Sequence, residues 1–355
     1  MEYSQRIREY FKPVIAQQTL QELREVEFPL LDEFFCVTWS NYELEARGNG
    51  LYQVLRQHLV QLQFPVREGI SKEEVYKKVT RQGYSAEGTE KIGIQLQSPQ
   101  KLRLDLYPTL AGQLPVLFTG CRGDFEFLVQ ALSARNEPVL LPSSMGASLV
   151  KGYNNWDRVN EMRRRQYVLG LSADLNQNLN TNRKYYSCAE GYQDCFMILS
   201  AGDYSGVPAV QLGLAEAEWR RLSLIIRREH EATHYFTQRV LGFMRNHLVD
   251  ELMADFMGIV AARGEYDPYW QLVFLGLEDY PRYRKGARLE NYVQDAGFTE
   301  EEVEVLRELV VRAVGRLEDF YRKRRWSLSL ESGKAELLLE LLAVVTKELF
   351  IGNPL

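Results

Sequence analysis

Histidine and cysteine are the scarce residues of this 355-residue chain, with four of each. Cys36, Cys121, Cys188 and Cys195 form no CxxC pair and are too thinly spread for a disulfide framework or a cysteine-based zinc site. Cys188 and Cys195 lie close enough in sequence to pair, but free, reduced thiols are the expectation. Long apolar runs are missing too. No stretch approaches the roughly 18 uninterrupted apolar residues of a membrane helix, and MEYSQRIREYFKPVIAQQTL at the start lacks the apolar centre of a secretion signal. The expected setting is cytoplasmic, with no membrane partner. Positive charge is not in excess. With 43 Lys and Arg against 48 Asp and Glu the net charge is -5, so no broad field favours a nucleic acid and none is expected as a partner. The basic run RKRR at 322–325 reads as a helix end, where cations complement the dipole. Glycine-rich phosphate loops are absent, and PSSMGA at 142–147 lacks the GxSxG elbow of a serine hydrolase.

What is present describes a folded protein. The chain is 45% hydrophobic and 26% charged, at a length above one typical domain. The expected class is α+β, with an N-terminal mixed α/β domain over 1–135 and a second domain over 136–355 that is mostly helical after 215. In the first, Ser71 and Glu74 have the spacing of a capping box for a helix over 70–83 that Gly83 closes. Strands are expected at 91–96, 101–107, 114–120 and 138–142, with a helix over 123–135. Residues 136–157 are rich in Gly, Ser and Asn with little periodicity, which reads as a long loop. That loop either connects domains, packed by Tyr153 and Trp156, or faces substrate. Beyond it a helix is expected over 158–179, strands over 193–201 and 207–214, and helices over 215–242, 298–325 and 334–350. Thr299 and Glu302 form the capping-box pair of the 298–325 helix.

Three of the four histidines, His230, His234 and His247, fall within eighteen residues. The first two stand in an HExxH pattern, His230-Glu231-Ala232-Thr233-His234, inside the helical stretch 215–242. At about 100° per residue they share a face with Trp219, Leu222, Ile226, Thr233 and Thr237, whereas Arg220, Arg221, Arg227, Arg228, Gln238 and Arg239 take the opposite side. Two imidazoles at i and i+4 can turn both ring nitrogens to one ion. A catalytic zinc takes a third protein ligand and keeps an open position. HLVDELMADFMGI at 247–259 offers that ligand: His247, Glu251 and Asp255 stack on one helical face, and Ala254 and Gly258 are small enough to let this helix approach another closely. Glu251 follows His234 by seventeen residues, room for a turn through Gly242 and a helix packed back across the first. Asp255, one turn further, is placed to accept a hydrogen bond from the outer nitrogen of a liganding histidine. Asp250 competes with Glu251 for the ligand role, but it lies about 100° off the stack. His247 itself reads as a helix-start residue or an outer partner of the site.

HEATH followed by Asp250-Glu251-Leu252-Met253-Ala254-Asp255 resembles the gluzincin metallopeptidases, over about thirty of 355 residues. The resemblance implies a zincin-like fold for 136–355, with His230, His234 and Glu251 as zinc ligands, Glu231 as general base and Asp255 as partner of a histidine. It also implies a strand beside the active-site helix that holds extended substrate, a role for which 207–214 is available. The activity implied is hydrolysis of an amide bond in a peptide or another amide, with Zn2+ as cofactor. Tyr266, Tyr269, Tyr280, Tyr283 and His247 are candidates for stabilising the oxyanion. Three other classes were weighed: a closed zinc-stabilised domain that binds a protein or ligand without catalysis, a di-iron bundle, for which a second ExxH is missing, and a serine hydrolase at Ser143 or Ser144.

Overall fold

The computed structural model describes residues 21–85, 93, 95–168, 191–242, 247–293, 297–323 and 331–347. In the N-terminal part, α1 (Phe35–Asn49) and α2 (Leu51–His58) are separated by Gly50, whose φ of 77° breaks one helix from the next. Next comes α3 (Glu74–Gln82), closed by left-handed Gly83 as expected. The Ser71 capping box does not form. Ile70–Lys72 is a separate 3-10 turn, and the Ser71 N–H donates 2.8 Å to Glu137 instead. The alternating KLRLDLY and the apolar LPVLFTG become β1 (Arg103–Thr109) and β2 (Gly112–Thr119), an antiparallel hairpin; α4 (Arg122–Leu132) follows. Most of the strand expected at 91–96 lies outside the described residues.

The stretch read as a loop over 136–157 holds β3 (Ala147–Asn154), and α5 (Trp156–Val168) begins just after it. Two-residue alternation was disguised by a bulge: the register against the next strand shifts between Val150 and Tyr153, where Gly152 adopts a φ of 69°. Residues 138–142 form no strand. They are bracketed by Pro138 and Pro142, which cannot donate to a ladder, and Leu140 is 98% exposed. β4 (Gln193–Ser200) completes a sheet of order β1-β2-β4-β3, with β2 and β4 parallel and β3 antiparallel to β4 at one edge. Phe196, Met197, Ile198 and Leu199 are all buried, so both faces of β4 are covered.

The segment 207–214 is not a strand either. Pro208 and left-handed Gly213 frame a 3-10 turn at Ala209–Leu212. Helices then dominate: α6 (Glu216–Leu241), α7 (His247–Arg263), α8 (Pro268–Leu275), α9 (Glu290–Val293), α10 (Glu300–Arg322) and α11 (Glu331–Lys347). The Thr299–Glu302 capping box of α10 is present in both directions. The class is α+β, as expected. The boundary expected at residue 135 runs through the sheet, which draws two strands from either side of it. One hydrophobic core extends from Leu23 to Leu342, and a buried polar knot joins α1 to the sheet and α5: Asp194 on β4 accepts from Trp39 at 2.9 Å and Asn155 at 2.7 Å and pairs with Arg158 at 2.8 Å. No described helix is long and apolar enough to cross a membrane.

Candidate metal centre

Burial selects the face of α6 that holds the histidines. Trp219, Leu222, Ile226, His230, Thr233 and Thr237 are all buried, in the pattern the 3.6-residue period demands. α7 crosses this face closely because Gly258 has no side chain: a Cβ there would lie 2.9 Å from Ile226 Cγ2 and 3.0 Å from the Ile226 carbonyl oxygen. The crossing lays Glu251 against both imidazoles. His230 Nε2 and His234 Nε2 are 3.0 Å apart, and the Glu251 carboxylate lies 3.3 Å from the first and 3.5 Å from the second. Ligands about 2.0–2.2 Å from a tetrahedral ion stand about 3.3–3.5 Å from one another. His230, His234 and Glu251 thus form a buried group that can hold a metal ion, with the two edges to the carboxylate in this range and the edge between the imidazoles, 3.0 Å, somewhat shorter.

The outer nitrogens are engaged as well. His230 Nδ1 lies 3.1 Å from Asp255 Oδ1 and 2.8 Å from the Tyr204 hydroxyl, which itself donates 2.6 Å to Asp255. Asp255 is fully buried and its other oxygen pairs with Arg288, whose Nη1 donates to Tyr204 at 2.7 Å. His234 Nδ1 lies 2.7 Å from Asp250 Oδ2, and Thr237 donates 3.0 Å to the second Asp250 oxygen. Asp250 thus meets the outer nitrogen of His234 and stands apart from the His230, His234 and Glu251 group. The Tyr292 hydroxyl, on α9, donates 2.7 Å to Glu251 Oε2. Without an ion, burial works against charge on His230 and His234, yet the carboxylates of Asp255, Glu251 and Asp250 outweigh it and hold both imidazoles above their usual range. Burial likewise opposes the charge of Glu251, and its hydrogen bonds to the two histidines bring it well below the carboxylate norm.

Glu231 is buried beside His230 and, alone among the acidic groups here, makes no hydrogen bond or ion pair within the described residues. It lines a cleft of two lobes that meet at His230 and Glu251. The larger lobe, about 500 Å3, runs along β3 past Ala147, Ser148, Leu149 and Lys151 to Thr237 and Gln238. A smaller one, about 210 Å3, is walled by Met145, Gly146, Tyr204, Ser205, Arg227 and Arg288. Both include His230, Glu231 and Glu251. The edge strand beside α6 is thus β3, and part of the stretch read as a loop over 136–157 lines this cleft as a strand.

Other expectations fare differently. The His247 side chain lies outside the described residues. None of the four candidate tyrosines lines the cleft: Tyr266 donates to Gln271 and Tyr283 to the Ala287 carbonyl, Tyr269 is exposed, and Tyr280 is raised by burial and by Glu304 and Glu308 far from the ligands. Arg227, assigned to the solvent side of α6, is 3% exposed, because the turn at 200–204 and Gly146 cover that flank of the helix. Tyr204, Arg227, Arg288 and Tyr292 were not foreseen. Arg227 alone had a local signal, one turn before His230 on a helix already known to be central; the other three arrive from separate segments through packing.

The chain belongs to a family of unknown function, DUF7005, whose model matches residues 2–351. Comparison with curated proteins and with solved structures gives no match.

Proposed function

We propose that this protein is a zinc-dependent hydrolase that cleaves an amide bond, most directly in a peptide, with Glu231 as the general base. The observation that carries the reading is the His230, His234 and Glu251 triangle opening on a cleft beside an unpaired Glu231 carboxylate. Two imidazoles and one carboxylate suit zinc, and three protein ligands leave the open position of a catalytic site. Bound there, zinc would lower the pKa of a water toward ~7 and polarise the substrate carbonyl. Asp255 and Asp250 fix the orientation of the two imidazoles and keep their Nε2 atoms facing inward. Tyr292 holds one oxygen of Glu251. Glu231, with no protein partner to release, takes a proton from a water in the cleft and returns it to the leaving nitrogen. An extended substrate finds the free edge of β3 along the larger lobe, where backbone groups of the edge strand are open to pairing.

The reading as a closed, non-catalytic zinc domain requires a fourth protein ligand. Of the two residues that could close the site, His247 has its side chain outside the described residues, and Asp255 is committed to His230 Nδ1, Tyr204 and Arg288 away from the triangle, which supports an open position on that side. Metal analysis of protein purified without added metal is expected to find about one zinc per chain. Glu231→Gln should retain that zinc and lose hydrolysis of a peptide library read by mass spectrometry. Unchanged turnover in Glu231→Gln, or well-folded protein that takes up no zinc, would overturn the proposal.

A further inference from the structure

The smaller lobe is lined by a buried cation that makes no ion pair among the described residues. The guanidinium of Arg227 is buried and donates only to backbone carbonyls, 3.3 Å to Ser200, 2.7 Å to Gly202 and 2.6 Å to Asp203. Those bonds use three of its five N–H donors. Among the described residues no carboxylate lies within ion-pair distance of it, whereas its neighbour Arg288 is matched by Asp255. The Nε side faces Gly146, where a Cβ would stand 2.3 Å from Nε and 2.6 Å from Nη2 and would push the guanidinium aside. A second orphan sits beside it. Ser205 is 9% exposed and its hydroxyl has no hydrogen-bond partner, while its backbone is held at a φ of 53°, unusual for a residue other than glycine. Arg288 Nε is a third buried donor without an acceptor. All three residues line the same lobe as His230, Glu231 and Glu251.

Buried donors without acceptors and a guanidinium with no carboxylate in ion-pair range among the described residues, all lining one cavity, suit an anion, and a planar guanidinium matches a carboxylate best. We propose that this lobe receives a carboxylate carried on the leaving-group side of the scissile amide, so that the substrate is an acylated amino acid or the C-terminal end of a peptide. The inference rests on the hydrolase reading for the position of the scissile bond. Chain direction follows from it. β3 runs from Ala147, near Arg227, toward Lys151 in the larger lobe, so a peptide with its C-terminus at Arg227 lies antiparallel to β3, the better-bonded pairing. The volumes agree, about 210 Å3 for the short leaving group and about 500 Å3 for the acyl side.

Calorimetric titration of the zinc-free protein tests this with hydrolysis switched off, using acetyl-Gly-Leu as free acid, acetyl-Gly-Leu amide and acetyl-Gly-Glu amide. The free acid is expected to bind about 10- to 100-fold more tightly than the neutral amide, the range of a charge-assisted hydrogen bond. A gain confined to the free acid assigns the lobe to a terminal carboxylate, and an equal gain for acetyl-Gly-Glu amide assigns it to an acidic side chain; both support an anion site. Arg227→Lys should shrink the gap severalfold. Should that variant fail to fold, Ser205→Gly removes only the orphan hydroxyl and relieves the positive φ, so it should fold at least as well and still lose about 3- to 10-fold for the acid. Equal binding of acid and amide by the unmodified protein, or a gap untouched by both variants, would refute the inference. Its failure is distinct from that of the hydrolase: zinc-loaded protein that cleaves acid and amide equally well discards the subsite alone, and acid-selective binding without hydrolysis discards the hydrolase alone.

Discussion

Gly258→Ala is the substitution by which helix packing and the metal centre can be tested against each other. The new Cβ would meet Ile226 Cγ2 at 2.9 Å and the Ile226 carbonyl oxygen at 3.0 Å. Carbon atoms pack best at about 3.5–4.0 Å, so α6 and α7 must part by about half an ångström. Two effects oppose each other in stability. Alanine gains about 1 kcal/mol over glycine in a helix interior, and overpacking costs about 1–3 kcal/mol. The net loss is about 0–2 kcal/mol, a shift of a few degrees at most in a protein of this size. Metal affinity is the more sensitive quantity. Glu251 stands seven residues before Gly258 on the same helix, about 10 Å along the axis, and ligand distances tolerate only about 0.2 Å of error. Zinc affinity should therefore fall about tenfold while the melting temperature barely moves. Competition with a chromophoric chelator, run beside thermal denaturation, measures both. A variant stabilised by the full 1 kcal/mol with unaltered zinc affinity would show that the crossing at Ile226 does not set the position of Glu251.

Asp250→Ala should weaken zinc binding about 10- to 100-fold by freeing His234 Nδ1, whereas Glu251→Ala should abolish it in the same chelator assay; the reverse order would reassign the ligand. His58 sits between Asp157 at 3.0 Å and Glu45 at 2.9 Å, and the Asp157 hydrogen bond, against the cost of burial, raises its pKa. A raised folded-state value means that its contribution is complete below the unfolded value near 6.5 and disappears as pH rises through the folded one. Urea denaturation should accordingly find His58→Gln destabilising at pH 5.5 and much less so at pH 8.5, and an equal loss at both would refute the pairing. Burial drives the Cys36 thiol up to about 12 and raises that of Cys195, so neither should react with a thiol reagent until the protein unfolds, while partly exposed Cys121 should react in the native state.

Local rules with their own chemistry were readable from the chain. The Thr299 cap, the β1–β2 hairpin and the inward face of α6 each follow from neighbours within a turn or two, and each formed. Failures arose where a local signal met a competitor elsewhere. Ser71 had the spacing of a capping residue, but the Glu137 carboxylate, 66 residues away, takes its N–H. The 207–214 segment had strand-forming residues, yet Pro208 and Gly213 close it into a turn, and the Trp219 indole donates 2.7 Å to the Val207 carbonyl. β3 was hidden by its own bulge. At the site, the gathering of His230, His234, Glu251 and Asp255 was legible because helical periodicity fixes it, whereas Tyr204, Arg288 and Tyr292 converge from a turn, a loop and a short helix whose packing no period encodes.

The three carboxylates of the centre come from one hexapeptide. Asp250, Glu251 and Asp255 lie on α7, and each engages a different nitrogen, or nitrogen pair, of the α6 histidines: Asp250 the His234 Nδ1, Glu251 both Nε2 atoms, Asp255 the His230 Nδ1. The rotation of α7 about its axis is therefore over-determined. A slip of one residue would turn it by about 100°, remove all three contacts together and bury carboxylates without partners, at several kcal/mol for each uncompensated charge. Gly258 lets the helix come close enough, and Arg288 and Tyr204 close the far side of Asp255 so that it cannot turn away. Glu231 and the smaller lobe of the cleft lie on a side of this cluster to which α7 adds no carboxylate besides Glu251.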